Sequence, residues 1–146
     1  ISICNPALRD SKQPVEDVIH QIVADRLKLA QDYLDFAASI PNTSPSNCRQ
    51  IISRSYYAMH HAARAVIFET RRMDIRSHEA VVAEIAKIMG GDVSETLGAQ
   101  HKLRNNVEYE LYLPGLDFQS ASANSLNIAS AFYQNCQDFI RKRRGT

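Results

Sequence analysis

The most constraining feature of the sequence is the segment of residues 14–40, in which apolar residues recur at helical spacing. After Pro14 this segment contains no proline or glycine. Over residues 14–40 the apolar side chains recur mostly three and four residues apart, as expected for one face of a helix. They are Val15, Val18, Ile19, Ile22, Leu29, Tyr33, Phe36 and Ile40. The whole chain of 146 residues has only 5 glycines and 5 prolines, which favours a few long helices over many short strands.

Helix-breaking and capping residues set the limits of the first two predicted helices. Pro14 is suited to a first helical position and Pro41 ends that helix. Ser44 is the expected N-cap of the second helix, with Pro45 as its first residue. This second helix is predicted to run to about Arg72.

The second half of the chain divides into three more predicted helices. Ser77 caps a short helix over residues 79–89, which the glycine pair at 90–91 ends. A capping-box spacing at 92–95 opens a fourth helix that runs to about Tyr112.

A last helix over about 119–142 completes the predicted architecture. Five helices with short connections pack most simply as an up-and-down antiparallel bundle, so the predicted fold is all-α. We expect residues 1–13 to be an irregular lead-in, 14–142 a single helical bundle, and 143–146 a basic C-terminal tail.

Composition excludes several broad classes. The formal net charge is +1, so no bulk field favours nucleic acid or membrane as a partner. The three cysteines, Cys4, Cys48 and Cys136, are widely spaced and predict reduced thiols of a cytoplasmic protein. We predict no metal site, no cofactor and no membrane span. Because the chain begins at Ile1 and not at Met, the sequence leaves open whether a leader segment has been removed.

The second predicted helix carries a stripe of chemically distinctive side chains. Arg54, Tyr57, His61 and Arg64 share one side, opposite the apolar core face. Two cations, a phenol and an imidazole can receive a phosphate or a carboxylate through charge-assisted hydrogen bonds. The alternative is an ordinary polar face, with the two rings packed under a neighbouring helix.

Small residues in the same helix offer a third interpretation, because they let another helix approach closely. With the gain in core that pairing gives a small bundle, they predict a homodimer. These residues are Ala58, Ala62, Ala63 and Ala65.

The fourth predicted helix places an arginine between two leucines. Leu97, Arg104 and Leu111 are spaced by seven residues and lie nearly on one line. An arginine at the edge of a core needs a counter-ion, and Glu108, one turn later, is the nearest candidate. The pair either lines a cleft between helices or fixes their register.

These segments together resemble the HEPN family, the helical "higher eukaryotes and prokaryotes nucleotide-binding" domain. The segments 54–59 and 61–65 are similar to its Arg-x-Tyr-Tyr-Ala…His-Ala-Ala helix, although His60 stands where the family usually has Phe. Ser77-His78-Glu79 resembles the start of its third helix. Arg104 with Glu108-Tyr109 resembles its Arg-x-x-Ala-(Asp/Glu)-Tyr signature, with Val107 in place of the small residue.

The resemblance implies a helical bundle, often dimeric, linked to RNA or nucleotide chemistry. It also implies a toxin–antitoxin pair with a minimal nucleotidyltransferase as the partner protein. Ribonuclease members of the family carry a His four to six residues after the late-helix Arg, and no His follows Arg104. We therefore expect a binding or accessory module and assign no catalytic residue. The alternatives are a metal-independent endoribonuclease and a structural dimerisation domain.

The candidate binding residues combine the stripe of the second helix with the polar residues of the fourth. They are Arg54, Tyr57, His61, Arg64, Arg104, Glu108 and Tyr109.

Overall fold

The computed structural model describes residues 12–145, which form five α-helices and no strand. The helices are α1 (Lys12–Ser39), α2 (Pro45–Arg71), α3 (His78–Met89), α4 (Gly91–Tyr109) and α5 (Phe118–Arg144). The predicted all-α bundle is confirmed. Residues 1–11 of the predicted lead-in, which include Cys4, lie outside the described part of the chain. Residues 12 and 13 belong to α1.

The helix α2 is the centre of the bundle, and all four other helices pack against it. Arg49 near its start lies over the ring of Phe118 at the start of α5, and Glu69 near its end binds Arg144 at the end of α5. The neighbours α2 and α5 therefore run parallel. Arg49 also donates to the carbonyl of Val107 near the end of α4, so α4 runs opposite to α2.

Local capping confirms most of the predicted helix boundaries. The Ser44 side chain accepts from the Asn47 amide, with Pro45 as the first residue of α2. Ser77 caps α3 by accepting from the Ala80 amide, and Gly90 ends that helix at φ +104°, a backbone conformation that suits glycine.

The predicted capping box at 92–95 is wrong, and so is the predicted end of α4. This helix already starts at Gly91, which places Ser94 inside the first turn, where its hydroxyl donates to the Gly91 carbonyl. The helix ends at Tyr109, so Leu111 lies in the following loop and is 76% exposed, outside the core. Leu97 on the same helix is fully buried, as expected.

The buried face of α1 is rotated by about one residue from the predicted stripe. Phe36 and Leu29 are exposed, by 53% and 38%, whereas the alanines that follow them, Ala37 and Ala30, are fully buried. Alanine at these positions lets α1 approach α2 closely, which places the bulkier neighbours at the edge of the contact.

The alanine-rich part of α2 packs inside the single chain. Ala58, Ala62, Ala63 and Ala65 are all fully buried among the other helices. Their predicted role as a dimer seam is therefore wrong, because a surface that is already covered cannot receive a second copy. The free thiols Cys48 and Cys136 are buried as expected.

A buried carboxylate joins the ends of α2 and α5. Glu69 is only 4% exposed and accepts two hydrogen bonds from Arg144, with Arg143 3.9 Å away.

The helix α5 continues two residues past the predicted end at Lys142, and Arg143 and Arg144 are helical rather than part of a tail. No helix within residues 12–145 has the length and apolar character needed to span a membrane.

Candidate functional site

Arg104 is the most deeply buried cation of the predicted site. It projects from α4 toward α2 and is 5% exposed. Its Nη1 donates to Oε2 of Glu108 at 3.0 Å, so the ion pair expected from the sequence is present. Ser53 of α2 donates a second hydrogen bond to the same carboxylate. Glu108 is thereby bound to both helices.

Two tyrosine rings of α2 cover the guanidinium of Arg104. Its Cζ lies 5.3 Å from the ring centre of Tyr56 and 5.2 Å from that of Tyr57, which is within cation–π range. Burial alone would lower the pKa of Arg104, but the hydrogen bond to Glu108 and the neighbouring tyrosines raise it. The guanidinium therefore stays charged.

Three imidazoles from three helices meet beside Arg104. His78 opens α3 and stacks on His101 of α4, with ring centres 4.7 Å apart and 14° between the planes. His60 of α2 lies 4.4 Å from His78, also centre to centre, and is 4% exposed. Tyr56 completes the group through its hydroxyl, 2.6 Å from Nδ1 of His78. We call Tyr56, His60, His78, His101, Arg104 and Glu108 the histidine–arginine cluster.

The hydrogen bonds of His78 define its protonation. Arg104 can only donate, so Nε2 of His78, 3.4 Å from its Nη2, is an acceptor. The proton of the neutral ring then lies on Nδ1 and is donated to the hydroxyl of Tyr56. Burial, together with the neighbouring His101 and the guanidinium of Arg104, lowers the pKa of His78. The ring is neutral at physiological pH.

The other histidines of this region are held neutral by the same causes. Burial and the nearby His78 lower the pKa of His60 to about 3. Burial and the guanidinium of Arg26 lower the pKa of His61 to about 4. Burial and Arg104 also lower the pKa of His101.

A stack of three half-buried rings continues the site toward α1. Tyr33 of α1 stacks on His61 with ring centres 5.5 Å apart and planes 4° apart, and on Tyr57 at 5.7 Å. Nη1 of Arg26 donates to Nδ1 of His61 at 3.2 Å. We call Tyr33, Tyr57 and His61 the ring stack. It links Arg104, beside Tyr57, to Arg26, beside His61.

Beyond the ring stack, three arginines converge on one carboxylate. Nη2 of Arg64 lies 2.6 Å from Oδ1 of Asp74, and Nη2 of Arg26 lies 3.5 Å from the same oxygen. Nε of Arg76 lies 3.6 Å from the other oxygen, Oδ2. Asp74 and Arg76 belong to the loop between α2 and α3. We call Arg26, Arg64, Asp74 and Arg76 the triple-arginine cluster.

Arg54 and Tyr109 lie at the opposite end of the site. Both line a cleft of about 580 Å³ between α2 and the end of α4, which Glu108 also lines. Tyr109 is 74% exposed, and the guanidinium of Arg54 lies 5.9 Å from the ring centre of Phe36.

The seven candidate residues thus fall into three adjoining groups. Tyr57, Arg104 and Glu108 meet at the centre, Arg54 and Tyr109 flank Glu108 in the cleft, and His61 and Arg64 lie at the far end. We call this whole set of residues, with the partners that the structure adds, the polar strip. The added partners are Arg26, Tyr33, Tyr56, His60, Asp74, Arg76, His78 and His101.

Sequence reasoning missed these added partners because they come from other helices or from the buried side of α2. For His101 the signal was its position one turn before Arg104, and for His78 it was the position after the N-cap Ser77. Nothing in the spacing of Arg26 or Tyr33 indicated that α1 would bring them to the strip.

Searched against models of known protein families and against curated protein sequences, the chain matches none. Within residues 12–145 no group of three or more His, Cys, Asp or Glu side chains is arranged to hold a metal ion.

Proposed function

We propose that the chain is a HEPN-like binding module that engages RNA or a nucleotide along the polar strip. One observation carries this proposal: within the strip, two guanidinium groups flank a continuous series of three contacting aromatic rings. From one end to the other, contacts link Arg104 to Tyr57, Tyr57 to Tyr33, Tyr33 to His61 and His61 to Arg26.

Guanidinium groups beside aromatic rings match the chemistry of single-stranded nucleic acid. Phosphates bind guanidinium groups through charge-assisted hydrogen bonds, and bases stack on aromatic faces. Arg26, Arg54, Arg64, Arg76 and Arg104 supply five positive charges, while the charged acidic partners within the strip are Asp74 and Glu108. The surplus of positive charge favours an anionic ligand over a basic or neutral one.

The sequence resemblance to HEPN domains supplies the biological context of the proposal. In that context the chain is cytoplasmic, forms a homodimer and pairs with a minimal nucleotidyltransferase as one half of a toxin–antitoxin pair. The exposed apolar side chains Leu29, Phe36, Tyr109, Leu111 and Tyr112 support an interface, now that the alanines of α2 are excluded from one.

Replacing the ring of Tyr57 tests the proposed binding mode. Tyr57→Leu is expected to weaken binding of a fluorescently labelled single-stranded RNA by about tenfold, because stacking of one base contributes on the order of 1–3 kcal/mol. Tyr57→Phe keeps the ring and should bind close to wild type. Fluorescence anisotropy at a fixed salt concentration measures both affinities, and thermal melting verifies that both variants fold.

Lys28→Gln is the matched control for loss of a charge. Lys28 is exposed on α1 and pairs with Asp32, away from the strip, so this variant should bind RNA like wild type, whereas Arg54→Gln should bind more weakly. RNA that binds wild type and Tyr57→Leu equally well would contradict the proposed mode.

A specific contact also favours the second candidate function, a metal-independent endoribonuclease. The chain has no His after Arg104 on α4, but His78 reaches the same guanidinium from α3, and His101, one turn before Arg104, stacks on His78. An arginine beside imidazoles is the kind of arrangement that can bind a phosphate and exchange protons.

The protonation of the cluster argues against efficient cleavage. Acid–base cleavage of RNA needs one group to accept the proton of the 2′-hydroxyl and another to protonate the leaving 5′-oxygen. Because the pKa values of His60, His61, His78 and His101 are all lowered, no imidazolium of this cluster is available as the acid at neutral pH. Arg104 stays charged and is a poor proton donor.

We therefore expect no substantial RNA cleavage by the chain alone. The measurement is incubation of single-stranded and structured RNA with the protein in EDTA at neutral pH, followed by gel electrophoresis. Cleavage by wild type that His78→Gln abolishes, with Lys28→Gln still active, would promote the endoribonuclease over the binding module.

A further inference from the structure

The triple-arginine cluster has more positive charge than its one carboxylate can neutralise. Arg26 and Arg64 share a single oxygen of Asp74, and Arg76 contacts the other oxygen. Burial lowers the pKa of Arg26, and the nearby guanidinium of Arg64 lowers it further. The hydrogen bond from Arg64 holds the pKa of Asp74 below its usual range, so the carboxylate is ionised.

Two of the three arginines, Arg26 and Arg64, are fixed more firmly than the aspartate. Arg64 lies on the central helix with its side chain 11% exposed, and Arg26 lies on α1 with its side chain 25% exposed. Asp74 is on the loop between α2 and α3, and its side chain is 45% exposed. A ligand can therefore displace the carboxylate from its arginines without disturbing the helices.

One buried donor of this cluster is unused. Nε of Arg64 is buried and has no hydrogen-bond partner among the described residues. A carboxylate offers two oxygens, whereas a terminal phosphate offers three oxygens and nearly two negative charges at neutral pH. Such a phosphate can satisfy more of the donors of three guanidinium groups than Asp74 does.

The neighbouring ring stack indicates what the phosphate is attached to. His61 accepts from Arg26 and is itself stacked on Tyr33, so a planar aromatic surface begins next to the arginines. A base can stack on such a surface while its phosphate binds the guanidinium groups.

We propose that Arg26, Arg64 and Arg76 form a binding site for a nucleotide phosphomonoester, and that Asp74 occupies this site in the free chain as an internal stand-in for the phosphate. The site deepens the proposed function and rests on it for its link to RNA. A mononucleotide and the phosphorylated 5′ end of an RNA both carry this chemistry. An internal phosphodiester has only one negative charge and fits the site less well.

Substituting the aspartate and substituting an arginine are expected to change the affinity for a nucleotide in opposite directions. Asp74→Asn removes the internal competitor and is expected to tighten binding of adenosine 5′-monophosphate by about two- to fivefold, the range expected for an exposed ion pair. Arg64→Gln is expected to weaken it by about tenfold or more, since it removes charge-assisted hydrogen bonds. Loss of folding cannot imitate a gain in affinity, so the aspartate variant is the decisive one.

Isothermal titration calorimetry with adenosine 5′-monophosphate, adenosine and inorganic phosphate measures the site directly. The monophosphate should bind and adenosine should not. Arg71→Gln, on the same helix but paired with Glu84 outside the cluster, is the matched control and should leave the affinity unchanged. Because Arg76 is 83% exposed, Arg76→Gln should fold normally and weaken binding, which keeps the test open if Arg64→Gln unfolds.

A pair of single-stranded RNAs of one sequence, with a 5′-phosphate or a 5′-hydroxyl, separates this inference from the proposed function. Tighter binding of the phosphorylated RNA, strengthened by Asp74→Asn, supports both. Equal binding of the two RNAs overturns the inference and leaves the binding module standing. Binding of the monophosphate with no binding of either RNA supports the site and overturns the RNA-binding proposal. Weaker binding of the monophosphate to Asp74→Asn than to wild type overturns the proposal that Asp74 occupies the phosphate site in the free chain.

Discussion

Arg104→Ala is expected to lower the free energy of unfolding by about 2 kcal/mol, because it removes a buried guanidinium and leaves Glu108, whose side chain is 30% exposed, without its counter-ion. The substitution removes the hydrogen bond to Glu108 and the contacts to the rings of Tyr56 and Tyr57. Ser53 still donates to Glu108, so part of the carboxylate's hydrogen bonding remains. Urea denaturation followed by circular dichroism measures the change.

A second variant distinguishes the ion pair from simple packing. Replacing both partners, as Arg104→Met with Glu108→Gln, should recover much of the lost stability, because neither charge is then left alone. Lys102→Ala, at an exposed position of the same helix, should change stability little. Equal stability of Arg104→Ala and wild type would mean that Arg104 is not held at this contact.

Acidification from pH 7.5 to pH 5 is expected to destabilise the fold, with His60 contributing about 2 kcal/mol of the loss. In the unfolded chain its imidazole takes up a proton below a pKa of about 6.5. In the folded chain burial keeps the pKa of His60 at about 3, so the ring stays neutral. The unfolded state binds more protons between these values. Stability is therefore complete above pH 6.5 and falls steadily below it.

Between pH 7.5 and pH 5 the expected loss of stability comes from the histidines and not from the carboxylates. Asp74 and Glu108 have lowered pKa values, and their contribution is lost only below about pH 4.5. The His61 ring adds to the loss in the same direction, with a smaller effect because its side chain is partly open to water.

His60→Phe is the matched variant, since phenylalanine keeps a planar ring but cannot take up a proton. Nδ1 of His60 has no hydrogen-bond partner in the described structure, so the substitution gives up no bond there. Its unfolding free energy should depend less steeply on pH between 5 and 6.5 than that of wild type. Exchanging the exposed His20 for Gln should leave the slope unchanged, and an unchanged slope in His60→Phe would refute the assignment.

The sequence predicts the helices well because their signals are local. The caps at Ser44 and Ser77 need only residues within one turn, and the Arg104–Glu108 pair needs only a spacing of four. The bulky apolar residues of α1 predict the wrong face, because the contact is set by the small side chains of Ala30 and Ala37. Which face packs inward depends on the partner helix, and no local pattern contains that information.

The candidate site also has one part that local sequence signals predict and one part that depends on tertiary contacts. The stripe on α2 follows from helical geometry, but its meaning changes once Tyr33 and Arg26 arrive from α1 and His78 from α3. Three histidines that are scattered in the sequence become close neighbours, with ring centres 4.4 and 4.7 Å apart. Their lowered pKa values arise from this tertiary burial, which spacing along the chain does not contain.

The contact between Glu69 and the last turn of α5 has a consequence for biosynthesis. The carboxylate and Arg144 are 75 residues apart, so a ribosome completes the central helix long before it delivers the cation. A nascent chain that lacks α5 has the α5 face of α2 uncovered and Glu69 without Arg143 and Arg144. A chain truncated before α5 is therefore expected to be incompletely packed and sensitive to proteolysis.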